Sequence, residues 1–137
     1  MNKILTDFIG KYYIKDTSIC DNTVFISHQE ESSKSRQIIK NALSGGARAI
    51  FQGKIYVSSV AQKTDGYQMS NGLILTDDCQ FLVKPELEIY ADDVVCSHGS
   101  ISGTLNDDHL FYLQSLSLIH ISEPTRPRLI SYAVFCL

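Results

Sequence analysis

A cysteine and a histidine lie two residues apart in the second half of the chain, as Cys96 and His98. The residues before them are strand-forming, and Gly99 follows them. Side chains two positions apart on a β-strand face the same side. The pattern therefore predicts that the thiol and the imidazole share one face of a strand, with Ser97 on the opposite face.

A thiolate and an imidazole are suitable ligands for iron or zinc. Two donors do not complete a tetrahedral site. A metal ion bound by Cys96 and His98 would need further ligands from elsewhere in the chain or from a partner. The alternative is structural, with Cys96 as a small buried hydrophobe beside a hydrogen-bonded His98. The spacing alone favours this alternative, because metal-site motifs usually contain paired clusters of Cys and His.

Paired carboxylates are the second group of residues that could bind a cation or act in catalysis. Asp-Asp pairs recur at 77–78, 92–93 and 107–108, a step of 15 residues. Aspartate is a common turn residue, so the first two pairs are predicted to lie in turns. The third pair follows Asn106 and is typical of a helix N-terminus. The alternative is a polysaccharide-active enzyme on a β-solenoid, whose cation and acid/base cluster would be Asp77, Asp78, Asp92 and Asp93.

Other catalytic motifs are missing from the sequence. Gly53-Lys54 lacks the upstream glycine of a phosphate-binding loop and is followed by Ile55. No Gly-x-Ser-x-Gly motif of a serine hydrolase occurs. Polar residues in the segment 61–71 are predicted to satisfy hydrogen bonds of turns: Lys63, Asp65 and Gln68. His28 is predicted to be structural or at the surface, and His109 to face solvent in the first turn of a helix.

Composition narrows the class of protein. The chain has 137 residues, 44% of them hydrophobic, and a net charge of −3, which fits one globular domain. It has no basic stripe for nucleic acid and no apolar run long enough for a membrane helix. We find no signal peptide and expect a cytoplasmic protein. The four cysteines are scattered, which indicates free thiols; we expect Cys20 and Cys79 to be structural.

The element pattern is all-β. Ser35–Leu43 fits a helix or a strand, residues 1–22 fit a turn or an edge strand, and Ser59–Asn71 is predicted to be a polar loop. Regularly spaced short strands favour a β-sandwich or a β-solenoid, and the short turns favour the solenoid. The predicted strands are Thr23–Ser27, Ala47–Phe51, Lys54–Val57, Leu73–Leu75, Cys79–Val83, Leu87–Tyr90, Val94–His98 and Ser100–Leu105.

Several long stretches resemble the C-terminal part of the SufB/SufD family of iron–sulfur cluster assembly proteins, and more closely its SufD member. They are ARAIFQGKIYV (47–57), AQKTDGYQMSN (61–71), KPELEIYADDVVCSHG (84–99) and LFYLQS (110–115), with a weaker ISHQ at 26–29. The resemblance implies a right-handed parallel β-helix followed by a short helical region. It divides the chain into a weakly patterned segment (1–22), a β-helix core (23–106), the start of a C-terminal helix (107–115) and a tail (116–137).

The same resemblance implies a non-catalytic scaffold. A SufD-like subunit pairs with a SufB-like subunit through the β-helices, and both carry a SufC-like ATPase on their C-terminal helices. A transient iron–sulfur cluster forms near the contact between the two scaffolds. The family's interface histidine corresponds to His98 and the accompanying cysteine to Cys96, so the partner would supply the missing ligands. For Cys96, the roles of cluster ligand and core residue both stay open.

Two features depart from the family. Its members are much longer, so the first coil here is expected to expose apolar surface. After Ser115 the sequence LSLIHISEPTRPRLISYAVFCL replaces the expected helix pair, and Pro124 and Pro127 prevent a continuous helix. We interpret residues 116–137 as non-native read-through. On this interpretation His120 and Cys136 have no function and most of the surface for the ATPase is missing.

Overall fold

The structure is a computed structural model, and it describes residues 4–104 and Asp108. Seven β-strands follow one another along this part of the chain, each 10 or 11 residues long. They are β1 (Leu5–Ile14), β2 (Ile19–His28), β3 (Lys34–Leu43), β4 (Arg48–Val57), β5 (Thr64–Ile74), β6 (Gln80–Ile89) and β7 (Val94–Thr104).

The strands form two parallel sheets. The odd-numbered strands form one sheet in the order β1-β3-β5-β7, and the even-numbered strands form the other in the order β2-β4-β6. Each residue pairs with the residue 29 to 32 positions later. One coil therefore contains one strand from each sheet, and the seven strands make about three turns of a β-solenoid. The predicted all-β solenoid is confirmed, whereas the predicted C-terminal helix (107–115) lies outside the described residues except for Asp108.

The strands are longer and fewer than the sequence suggested. Ser35–Leu43 lies within β3, so its ambiguity is resolved in favour of a strand. The predicted polar loop 59–71 was wrong, because β5 begins at Thr64. The two predicted strands on either side of Lys84-Pro85 are the single strand β6, and those on either side of Gly99 are the single strand β7. Strand β1 and the start of β2 lie in residues 4–22, which the sequence left open between turn and edge strand.

Turns stack on turns at the two ends of the strands. In one stack, Asp16 has a φ of 58° and lies next to Gly45, whose φ is 65°. In the other, Ser32 and Lys63 also have positive φ values. Gly46 has a φ of 80°. The backbone carbonyl of the next residue, Ala47, accepts a hydrogen bond from a backbone N–H group in the next coil. Glycine suits this turn because a positive φ carries no steric penalty there.

The interior contains two apolar clusters near the two stacks of turns. One cluster includes Ile14, Leu43, Ala47 and Ala49. The other includes Ile55, Val57, Ala61 and Ala91, with Leu87, Val94 and Cys96 packed against it. Between them the interior is partly polar: Gln37, Gln68, Ser70 and Asn41 are almost fully buried.

The first coil exposes apolar side chains, as expected from the sequence. Leu5 is 65% exposed, Ile19 64% and Phe25 60%. Within the described residues, β1 and β2 each have a strand neighbour on one side only. No helix among the described residues has the length and apolar character needed to cross a membrane.

Candidate functional site: the β7 end of the solenoid

Strand β7 is the edge of its sheet in the part of the chain that the structure describes, because it pairs with β5 alone. Its residues alternate between the two faces of the sheet. Cys96 pairs with Gly66 and His98 pairs with Gln68, both of which are buried in the interior. Cys96 and His98 therefore share the inward face of β7, as their spacing predicts.

The two side chains have different surroundings. His98 is exposed at the open end of the solenoid. No side-chain hydrogen bond joins it to another described residue. Cys96 is half-buried and packs against the apolar cluster of Ile55 and Val57. Its sulfur lies against the backbone of Gly66, 3.3 Å from the position that a Cβ would occupy there.

This burial affects the chemistry of Cys96. Desolvation raises the pKa of the Cys96 thiol, with a small opposing contribution from the backbone amide of Gly66. A thiolate is the form that binds a metal ion. The exposed imidazole therefore fits a metal-ligand role in this conformation, whereas the Cys96 thiol resembles a core residue and would need to lose its proton.

His98 stands at the end of a row of side chains that crosses the sheet. The register aligns Phe8, Gln37, Gln68 and His98 on β1, β3, β5 and β7. We call these four residues the interior column. Gln37 is 0% exposed and Gln68 is 1% exposed. Both amide atoms of Gln37 and Oε1 of Gln68 are buried with no hydrogen-bond partner among the described residues.

The interior column was missed in the sequence. The predicted turn role of Gln68 is wrong, because Gln68 lies in β5 and points inward. Its amide group reaches the opposite sheet, where all three amide atoms lie 2.7 Å from the position of a Cβ on Gly53. The spacing of Gln37, Gln68 and His98 matches the coil repeat, and this signal is readable only once the repeat length is known.

Asp65 does bridge coils, since its carboxylate accepts two hydrogen bonds from Arg36 at 3.0 and 3.1 Å.

The paired carboxylates do not come together. Asp77 and Asp78 lie in the turn before β6, and Asp92 and Asp93 lie in the turn after it. A strand of this length separates the two turns by roughly 30 Å. Asp78 accepts a hydrogen bond from Thr76 Oγ1 at 2.6 Å, and this contact, with backbone amides, lowers the pKa of Asp78. These are turn carboxylates, and the convergence that a polysaccharide-active enzyme requires is not present.

The remaining candidate residues fall into structural roles where they are described. His28 is buried, and its two ring nitrogens contact Ser33 Oγ at 2.7 Å and Ser35 Oγ at 2.9 Å. Cys20 and Cys79 pack against the first apolar cluster. Within residues 4–104 and Asp108, no group of three or more His, Cys, Asp or Glu side chains is arranged to hold a metal ion. His109, His120 and Cys136 lie outside the described residues.

Comparison with known proteins connects this fold to a family. Residues 3–120 match the family described as SUF system FeS cluster assembly, SufBD core domain. The chain belongs to this family. The match starts before β1, so it includes the segment 4–22 that the sequence left unassigned, and it ends inside the predicted read-through tail.

The curated relatives agree with this assignment. The iron-sulfur cluster assembly protein SufD of Escherichia coli is 39% identical over 115 residues, which cover 84% of this chain and 26% of that protein. An iron-sulfur cluster assembly SufBD family protein of Synechocystis is 33% identical over 113 residues, covering 82% of this chain and 25% of that protein. The chain thus spans about a quarter of the length of these SufBD relatives.

Proposed function

We propose that this chain is a SufD-like part of a scaffold for iron–sulfur cluster assembly, with no catalytic activity of its own. The cluster is the cargo of the scaffold and is held only transiently. The observation that carries the proposal is the exposed imidazole of His98 on the edge strand β7, in a chain that belongs to the SufBD core family.

The partner in this proposal is a SufB-like subunit that docks on β7. An edge strand offers unpaired backbone N–H and C=O groups to another chain. On the outward face of β7, Val95 is 71% exposed and Ile101 is 48% exposed. A partner strand that pairs with β7 would cover these two apolar side chains. Such a partner would cover His98 and supply the ligands that this chain lacks.

His98 would contribute one ligand to iron or to the nascent cluster. Cys96 would contribute only if docking changes its surroundings, because burial holds its thiol protonated. A SufC-like ATPase would dock on C-terminal helices, and most of that surface is missing from this chain on the read-through interpretation of residues 116–137.

Co-purification tests the two parts of the proposal separately. The chain is expressed with a SufB-like subunit and a SufC-like ATPase, and three variants are compared with the wild type. Val95→Lys places a charge at the proposed contact and is expected to weaken co-purification at least about tenfold. Ile19→Lys changes a similarly exposed residue on β2, at the other end of the solenoid, and is expected to leave co-purification unchanged.

The third variant addresses the ligand. His98→Ala is expected to keep the complex and to abolish iron–sulfur cluster formation, followed by its visible absorption. Normal cluster formation by this variant would remove the ligand role of His98. Equal losses with Val95→Lys and Ile19→Lys would show that β7 is not the docking surface.

A further inference from the structure

The side chain next to His98 in the interior column is placed to orient it. Parallel neighbours in a sheet are about 4.8 Å apart, and Gln68 pairs directly with His98 on the same inward face. Gln68 Oε1 is buried and has no hydrogen-bond partner among the described residues. A buried carbonyl oxygen without a partner is unfavourable, so it is a ready acceptor for an N–H group that comes within reach.

The Gln68 amide has little freedom to find another partner. Its three amide atoms lie against the backbone of Gly53 on the opposite sheet, in a space that a single methyl group would fill. The side chain is 1% exposed, which excludes contact with bulk water. The acceptor is therefore confined to the interior, on the residue that pairs with His98 in the neighbouring strand.

We propose that Gln68 Oε1 accepts a hydrogen bond from a ring N–H of His98 when a partner covers the β7 end. This contact makes Gln68 a positioning residue: it fixes the tautomer of the imidazole and leaves the other nitrogen free to bind a metal ion. Histidines that bind metals usually donate their second ring N–H to such an acceptor. The proposal rests on the proposed function, because only a docked partner gives His98 a ligand role.

Gln37 provides a matched control within the same chain. It occupies the same position one coil further from His98, is equally buried, and also has unpartnered amide atoms. Gln68→Met and Gln37→Met each replace an amide by an apolar group of similar length. A general effect of removing a buried amide would appear in both variants, whereas loss of the contact with His98 would appear only in Gln68→Met.

Two measurements are made on the complex with the SufB-like subunit. Long-range ¹H–¹⁵N NMR of histidine-labelled chain reports the tautomer ratio of His98, and titration with Zn²⁺ alone reports metal affinity. Gln68→Met is expected to shift the tautomer ratio and to weaken zinc binding roughly 10- to 100-fold. Gln37→Met is expected to leave both values at those of the wild type. If Gln68→Met does not fold, as judged by circular dichroism, Gln68→Leu takes its place.

The outcomes separate this proposal from the proposed function. If wild type binds the partner and zinc, His98→Ala loses zinc, and Gln68→Met matches wild type in both measurements, only the role of Gln68 is overturned. Equal changes in Gln68→Met and Gln37→Met overturn it as well, in favour of a general packing effect. If wild type does not bind the partner, or if His98→Ala binds zinc as wild type does, both proposals fall together.

Discussion

At the scale of single residues, Gly72 shows how closely the two sheets approach. A Cβ at this position would lie 2.7 Å from Cγ and Cδ1 of Phe81 on the opposite sheet. Cγ is joined to the backbone through Cβ, so the ring moves away only by rotation about the Cα–Cβ bond or by a shift of β6. The inward face of β5 therefore accepts no side chain at residue 72.

Gly72→Ala is expected to destabilise the chain by about 1–3 kcal/mol, because an overpacked interior forces side chains and backbone to shift. Urea unfolding followed by circular dichroism measures this change. Gly103→Ala is the control: it lies in β7, where a Cβ meets nothing within 4 Å, and it is expected to be neutral or slightly stabilising. In a Phe81→Ala background, which lacks Cγ and Cδ1, Gly72→Ala should cost less stability than it does in the wild type. Equal stability of the two alanine variants would contradict the close approach.

The residue scale also shows what the sequence could reveal about the site. The shared face of Cys96 and His98 follows from their spacing, because side chains alternate on any strand. Their different environments do not, since exposure of His98 and burial of Cys96 depend on where the coil ends. Gln68 could not be recognised for a related reason, because the residue type alone does not distinguish a buried glutamine from one in a loop.

At the scale of elements, the strands are longer than the sequence pattern predicts. Sequence patterns identify a half-buried strand by alternation of apolar and polar residues. The inward face of β5 instead carries Thr64, Gly66, Gln68 and Ser70, so its alternation is invisible and it looked like a loop. The architecture could still be predicted, because the regular spacing of the strands and the short turns indicate a solenoid even when the strand ends are not placed correctly.

The turn between β2 and β3 is held by a buried histidine, and this gives the element a pH dependence. His28 lies at the end of β2 and contacts Ser33 before β3 and Ser35 within it. Burial lowers the pKa of His28 below its ordinary value of 6.5. Below that pH the unfolded chain therefore binds more protons at this residue than the folded chain does. Stability from His28 is complete above pH 6.5 and falls as the pH decreases toward the folded pKa.

Urea midpoints measured between about pH 7.5 and about pH 5.5 are expected to decrease with pH in the wild type. In His28→Gln the midpoint is lower overall but changes less with pH, because the titrating group is gone. This window lies above the range in which Asp65, Asp78 and Glu88 titrate, since the pKa of each carboxyl is lowered. A wild-type pH dependence in His28→Gln would assign the effect to other groups.

At the scale of the whole molecule, a solenoid is stabilised by contacts between neighbouring coils. Among the described strands, β3, β4 and β5 have neighbours on both sides, whereas β1, β2, β6 and β7 have one. The large side chains that are fully buried also lie in the middle, including Ile39, Phe51 and Ile55. The two ends should therefore open more readily than the centre.

Amide hydrogen exchange followed by mass spectrometry tests this gradient and the docking surface together. In the isolated chain, peptides from β3, β4 and β5 are expected to exchange slowest, because opening them breaks contacts on two sides. Adding the SufB-like subunit should slow exchange in β6 and β7 and leave β1 and β2 unchanged, since the proposed contact covers only the β7 end. The Val95→Lys variant should show the same gradient without the protection. Protection of β1 and β2 instead would place the partner at the opposite end, where no candidate ligand lies, and would separate His98 from cluster assembly.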